Sequence, residues 1–225
     1  MKRSELNQII ENAIKFMDGH GLKLPPFAYW TPSDLPKLNE EHREIVDHML
    51  GWDITDFGSG DFNRIGLLMF TARNGRFSDI AGTKPYAEKY MVVQENQVTP
   101  YHFHWKKTED IINRGGGNLI IKLYMPTPDG QLSDASLTVN QDGRRFAAPA
   151  GTEIRLHPGE SICLHHGQYH QFWGEPGTGP VLVGEVSCTN DDHVDNRFLS
   201  PTGRFPSIEE DEPARYLLFS ELKIG

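Results

Sequence analysis

The chain lacks the features that mark several large classes of protein. Only two of its 225 residues are cysteine, Cys163 and Cys188. Both sit in apolar stretches and are too few for a disulfide framework, so they read as the reduced thiols of a cytoplasmic protein. No apolar run approaches the ~20 residues needed to span a bilayer. The opening Met1-Lys-Arg-Ser-Glu-Leu-Asn-Gln has no apolar segment of the kind a secretory signal needs. Positive charge is short as well: 22 Lys plus Arg stand against 31 Asp plus Glu, a net charge of −9. Without a basic cluster, such a chain is poorly suited to nucleic acid or to an anionic membrane. Apolar side chains, by contrast, make up 37% and charged ones 24%, enough to build a core and to exclude disorder along the whole chain.

The first 50 residues have a helical texture. Leu6, Ile9, Ile10, Ala13, Ile14 and Met17 recur at spacings of three and four, which predicts a helix capped by Ser4 and stopped by Gly19 and Gly21. A second helix is expected from Asn39 to about Leu50, with Ile45, Val46, Met49 and Leu50 turned inward. Neither carries a catalytic pattern, so both are expected to cover a sheet or form a subunit contact. From about Arg64 short β-rich runs alternate with turn signals. The runs are 65–71, 89–94, 118–124, 136–139, 153–156, 161–164, 170–173 and 181–187. The turns between them include Asn74-Gly75, Asp129-Gly130, Asp142-Gly143 and Pro158-Gly159. Many strands at this spacing predict an antiparallel sandwich or barrel rather than βαβ units. One domain is expected: a helical extension over 1–63, a barrel over 64–187 and a C-terminal segment over 188–225.

Ten histidines occur, and six lie between positions 102 and 170. The informative arrangement is Tyr101-His-Phe-His-Trp-Lys-Lys-Thr-Glu109. Residues two apart on a strand share a face, so His102 and His104 can grip one ion. Glu109 is an odd number of positions further on, so a bulge or turn must intervene if it is to join them. A second segment, His166-Gly-Gln-Tyr-His170, puts a glycine turn before His170. Three imidazoles and one carboxylate form a mixed nitrogen/oxygen site suited to Mn²⁺, Fe²⁺, Co²⁺, Ni²⁺ or Zn²⁺.

These two segments resemble the paired motifs of the cupin superfamily, including glycine after the glutamate at Gly115 and Gly116. The second motif departs from the usual Pro-x-Gly-x-x-His, having His165-His166-Gly167-Gln168-Tyr169-His170 instead, with the last histidine in place. A closer resemblance, over nearly the whole chain, is to the D-lyxose isomerase family of cupins. It runs from Leu24-Pro-Pro-Phe-Ala28 through residues 99–117, Pro158-Gly-Glu-Ser161 and residues 184–192 to the stretch from Arg204 to Glu212. The resemblance implies a mainly β fold, a cupin-type antiparallel β-barrel (jelly roll) with N-terminal helices. It also implies a homodimeric, Mn²⁺-preferring enzyme that takes a free sugar and interconverts D-lyxose with D-xylulose, and often D-mannose with D-fructose, with His102, His104, Glu109 and His170 as ligands.

Moving a proton between C2 and C1 through a cis-enediol also needs a carboxylate beyond the ligands. Glu185 interrupts the apolar run 181–187 and shares a face with Val181, Val183 and Ser187, which favours it. Glu209 and Glu210 lie in the acidic run 209–212 and are favoured by the resemblance alone. Lys107 can stabilise the developing oxyanion, Arg204 can bond sugar hydroxyls, and Trp105, Tyr90, Phe172 and Trp173 offer flat walls to a sugar. An iron-dependent cupin dioxygenase and a non-catalytic sugar-binding cupin are the alternatives on the same ligand pattern.

Overall fold

The computed structural model describes residues 1–204 and 207–224; Phe205 and Pro206, part of the family-like C-terminal stretch, lie outside them. Helix α1 covers Arg3–Gly19. A 3₁₀ turn at Glu40–His42 leads into the short helix α2, Arg43–Asp47. The strands that follow are β1 Gly51–Thr55, β2 Leu67–Arg73, β3 Tyr86–Val93, β4 Thr99–His104, β5 Glu109–Gly116, β6 Leu119–Pro126 and β7 Leu132–Ser133. They continue with β8 Leu137–Gln141, β9 Arg144–Ala148, β10 Glu153–Leu156, β11 Ser161–Leu164, β12 Tyr169–Gly174, β13 Val181–Cys188 and β14 Asn196–Phe198.

All strand pairings are antiparallel. The larger sheet runs β1-β2-β3-β13-β5-β11-β8-β9 and the smaller β10-β6-β12-β4-β14, with β7 beside β6. Strand alternation decides what each sheet buries. Met69, Met91, Val93, Ile111, Ile162 and Val183 of the larger sheet meet Leu119, Ile121, Leu123, Leu156 and Phe172 of the smaller in one core. Their neighbours Leu68, Phe70, Val92 and Leu182 point to the other face of the larger sheet. There Leu6, Ile10, Ala13 and Met17 of α1 cover them. Burying side chains of this size contributes about 1.5–3 kcal/mol each. The result is the mainly β, cupin-type barrel with N-terminal helices that the sequence led us to expect.

Several local expectations need correction. Ser4 lies inside α1 rather than at its cap, Lys2 taking that place. The free amide of Ser4 donates instead to Asp211 Oδ1 at 2.9 Å, and its hydroxyl to Oδ2 at 2.6 Å. The helix N-terminus is thus capped from the far end of the chain. The second helix is much shorter than Asn39–Leu50. Asn39 does start it, accepting from Glu41 N, but Met49 takes a left-handed φ of 56°. The His48 ring turns away to the Asn74 carbonyl. The sheets also outrun the 64–187 span: β1 is an edge of the larger sheet and β14 an edge of the smaller. Asp142-Gly143 behaves as expected. Both residues have positive φ, and they join β8 to β9 where Gln141 pairs with Arg144.

Candidate metal and sugar site

The smaller sheet supplies the imidazoles. On β4, His102 and His104 share the inner face while Phe103, between them, turns out against Tyr169. On β12, His170 stands directly across from His102 in the ladder, their ring centroids 4.1 Å apart. One nitrogen from each of His102, His104 and His170 lies within 4.8 Å of the others, and all three residues are buried. The intervening turn that Glu109 requires is present. The chain leaves β4 at His104, turns through 105–108, and enters the larger sheet at Glu109, the first residue of β5. Asp195 fixes that turn, its carboxylate accepting from Lys106 N at 3.0 Å and Lys107 N at 3.1 Å. Glu109 Oε1 thereby comes to 3.2 Å from both His104 Nε2 and His170 Nε2.

These contacts fit a shared cation better than a set of hydrogen bonds. His102 Nδ1 lies 2.8 Å from the Pro100 carbonyl and His170 Nδ1 3.1 Å from that of Gln168. A carbonyl only accepts, so each Nδ1 carries the proton and each Nε2 keeps a lone pair. Burial, reinforced by the neighbouring imidazoles, holds His102 well below its usual pKa. Burial and Lys107 lower His104. Both rings are therefore neutral at pH 7, the form that ligates. His104 Nδ1 and Nε2 and Glu109 Oε1 have no hydrogen-bond partner among the described residues.

The larger sheet supplies the charged groups. Lys107 Nζ lies 2.6 Å from Glu109 Oε2 and 2.8 Å from Glu185 Oε1, all three residues being buried. Glu185 on β13 faces Lys89 on β3 in the ladder, with Lys89 Nζ 3.4 Å away. Lys89 in turn lies 3.9 Å from Asp192, and Arg204 joins Asp192 at 2.9 Å to Asp53 at 2.6 Å. Burial opposes ionisation of Glu109, but Lys107 and His104 outweigh it and hold the carboxyl well below its usual range. Burial likewise opposes the Lys107 charge, yet Glu109, Glu185 and Asp192 prevail and raise its pKa, so the ammonium persists. Three cations, Lys89, Lys107 and Arg204, thus meet four carboxylates, Glu109, Glu185, Asp53 and Asp192. Among these groups the carboxylates outnumber the cations by one, an imbalance that a bound cation would offset.

A pocket connects these groups and includes Thr99, Phe57, Phe172, Asn196, Phe198 and Arg204 in its lining. The structure therefore brings together His102, His104, Glu109, His170, Lys107, Glu185 and Arg204. It does not bring Trp105, which is 55% exposed and meets Phe103 edge to face beneath the Arg197 guanidinium. Nor does it bring Glu209 or Glu210. The Glu209 backbone pairs with Met1 and Arg3, and Glu210 binds the buried Arg3 guanidinium at 2.6 Å, so α1 holds this acidic run away from the cavity. Sequence reading passed over Lys89, Asp192, Asn196 and Phe198. Only Lys89 carried a signal, being a lysine in phase with the buried Met91 and Val93 of its strand.

Solved structures agree on the fold. The chain is similar to L-ribose isomerase of Cellulomonas parahominis bound to L-ribose, with a TM-score of 0.61, 16% identity, and 93% of this chain and 98% of that one covered. It is also similar to L-ribose isomerase of Geodermatophilus obscurus, with a TM-score of 0.63, 15% identity and the same coverage. The class these observations define is a cupin-type β-barrel with a buried group of three histidines beside a charged wall. A sequence profile of the D-lyxose isomerase family matches residues 1–222. The D-lyxose/D-mannose isomerase of Escherichia coli O157:H7 is 50% identical over 99% of both chains. That of Serratia proteamaculans is 51% identical over 98% of this chain and 97% of its own. The chain belongs to the D-lyxose isomerase family.

Proposed function

We propose that this protein interconverts D-lyxose with D-xylulose, and D-mannose with D-fructose, through a cis-enediol, using a divalent cation held by His102, His104, Glu109 and His170. The observation that carries this reading is the buried Glu109–Lys107–Glu185 array beside three buried imidazoles. When bound, the ion would supply Lewis acidity toward the sugar's carbonyl and neighbouring hydroxyl oxygens. Mn²⁺ is the preferred ion by family resemblance, and the nitrogen/oxygen donor set also suits Co²⁺, Fe²⁺, Ni²⁺ or Zn²⁺.

The remaining work falls to side chains. Glu185, not committed to the cation, removes the proton from C2 and returns it to C1, while the C2 hydroxyl proton passes to the neighbouring O1. Lys107 keeps its charge in this setting, so it acts as a hydrogen-bond donor to the oxygen gaining negative charge, not as a base. Its bond to Glu109 Oε2 also fixes that carboxylate with Oε1 toward the imidazoles. Phe57, Phe172 and Phe198 exclude water from the reacting carbons, and Arg204 offers donors to hydroxyls. The reading includes a cytoplasmic homodimer, in keeping with the resemblance and with two unpaired thiols, Cys163 and Cys188.

The test is an anaerobic assay of the Mn²⁺-loaded protein across free pentoses and hexoses, scored for ketose. Turnover of D-lyxose and D-mannose without oxygen is expected. Activity that requires Fe²⁺ and consumes O₂ would favour a dioxygenase, and binding without turnover a sugar-binding cupin.

A further inference from the structure

Among the described residues, six buried side-chain atoms have no hydrogen-bond partner: Thr99 Oγ1, both ring nitrogens of His104, Glu109 Oε1, Asn190 Oδ1 and Asn196 Oδ1. An unmade bond at a buried polar atom costs about 1–3 kcal/mol, so such atoms are rare without a purpose. The His104 and Glu109 atoms belong to the cation site, and Thr99 and Asn196 line the same cavity. Asn190 does not. It is 3% exposed and lines a second, small pocket, which shares Met69, Lys89 and Asp192 with the first.

The orientation of the Asn190 amide is determined by its neighbours. Its Nδ2 donates to Asp192 Oδ1 at 2.7 Å, and an ionised carboxylate can only accept, so the atom left without a partner is the carbonyl oxygen. Lys89 and Arg204 keep Asp192 ionised against its burial, holding its pKa well below the usual range. The residue is itself anchored through its backbone, its N–H reaching Asn74 Oδ1 at 3.3 Å and its carbonyl accepting from Asn74 Nδ2 at 2.9 Å. A residue of the second cavity's wall thus carries a fixed, unpartnered acceptor, which asks for a donor such as a hydroxyl. Contacts of 2.8, 3.4 and 3.9 Å lead in order from Lys107 through Glu185 and Lys89 to Asp192. That row runs from the groups placed at C1 and C2 to the wall of the second cavity. An open-chain sugar is a line of hydroxyls that needs partners along its length.

We propose that the second cavity is the subsite for the terminal hydroxymethyl end of a six-carbon sugar, and that Asn190 accepts a hydrogen bond from its hydroxyl and so sets the tolerance for hexose beside pentose. This rests on the isomerase reading above. A pentose held by the same C1 and C2 contacts is one carbon shorter and draws less on Asn190.

The test compares D-mannose with D-lyxose in Mn²⁺-loaded parent and in two variants, Asn190→Leu, which removes the acceptor, and Thr71→Ile, which narrows the same cavity with a strand-compatible side chain. The expected result is a fall of about tenfold in the ratio of kcat/KM for mannose to that for lyxose, carried mainly by the KM for mannose. The second variant keeps the question answerable if the first does not fold. A ratio within about twofold of the parent, or equal losses on both sugars, would mean that Asn190 contacts only buried water or packs locally, and would overturn the subsite. A parent that turns over lyxose but not mannose overturns the subsite and leaves the isomerase reading standing. A parent that turns over neither sugar overturns both.

Discussion

Replacing Glu185 with Gln separates two roles that the structure gives one side chain. The substitution preserves size and leaves an amide oxygen able to accept from Lys107, which lies 2.8 Å from Glu185 Oε1. It removes the charge that Lys107 and Lys89 share, both of them buried, and it removes the capacity to take a proton from carbon. Hydrogen bonds to charged groups are worth about 1.5–3 kcal/mol. With part of the bond to Lys107 retained, a stability loss of roughly 2 kcal/mol follows, or about 4–8 °C in Tm for a chain of this length. Removal of a general base lowers kcat by about 10²–10⁴, equivalent to about 2.7–5.4 kcal/mol of barrier. Metal content should match the parent, because Glu185 is not among the proposed ligands. The assay is ketose formation from D-lyxose at saturating sugar, with metal measured on the same sample and loss of deuterium to solvent followed from C2-labelled substrate. A variant of parental metal content whose kcat stays within about threefold, and which still exchanges label, would show that Glu185 only neutralises its two lysines. Complete transfer of label to C1 in the parent, with no exchange, would bring a hydride path into consideration beside proton return by a shielded carboxylate.

Three further outcomes follow. His170→Ala removes one of three buried imidazoles, so bound metal and isomerase activity should be lost together; a variant that keeps stoichiometric metal would refute the ligand set. Glu210→Gln should leave kcat intact, since Glu210 binds Arg3 rather than lining the cavity, whereas Arg3→Ala should lower stability by about 1–3 kcal/mol by removing a buried guanidinium and its charged hydrogen bonds, chiefly that to the half-buried Glu221; a large fall in kcat for Glu210→Gln would restore it as a base. Asp192 has a depressed pKa because Lys89 and Arg204 outweigh its burial, so its stabilising contribution is full above the unfolded carboxylate value near ~4 and is lost as pH falls toward the folded value. The stability gap between parent and Asp192→Asn, measured by urea unfolding, should therefore narrow progressively below about pH 4, and a gap that widens there would contradict the network.

The parts of the fold that sequence made legible were those where local chemistry and tertiary structure agree. Asp142-Gly143 calls for a hairpin and forms one, and the run Val181–Cys188 forms β13 with Glu185 on the face its parity demands. Two strands escaped because their inward positions are polar for functional or structural reasons. In β5, Glu109 serves the cation site, and the buried Asn113 side chain donates to the carbonyls of Gly117 and Leu156. In β1, Asp53 is buried against Arg204. A pattern search sees such residues as interruptions, although they lie in register. The acidic run 209–212 misled in the opposite sense. Its composition suits a base or a solvated face, but Arg3, Ser4 and Asn7 of α1 engage Glu210, Asp211 and Glu212 in turn. Nothing local in either segment records a pairing across some 200 positions.

The division of labour between the sheets explains why the site depends on α1 and the acidic run 209–212 although neither enters it. The smaller sheet fixes the three imidazoles through one ladder pair and one alternation, which is why His-x-His together with the glycine turn before His170 pointed to them. Glu109, Glu185 and Lys89 stand on the larger sheet, whose outer face would be exposed Leu68, Phe70, Val92 and Leu182 without α1. Helix α1 is held in turn by the C-terminal segment, through the Asp211 cap and the Arg3 pairs with Glu210 and Glu221. A weakened strap should therefore first loosen the carboxylate and lysine wall and leave the histidines in place. Arg3→Ala would then show isomerase activity falling with temperature before bound metal is released. Simultaneous loss of both would mean that the two walls open as one unit.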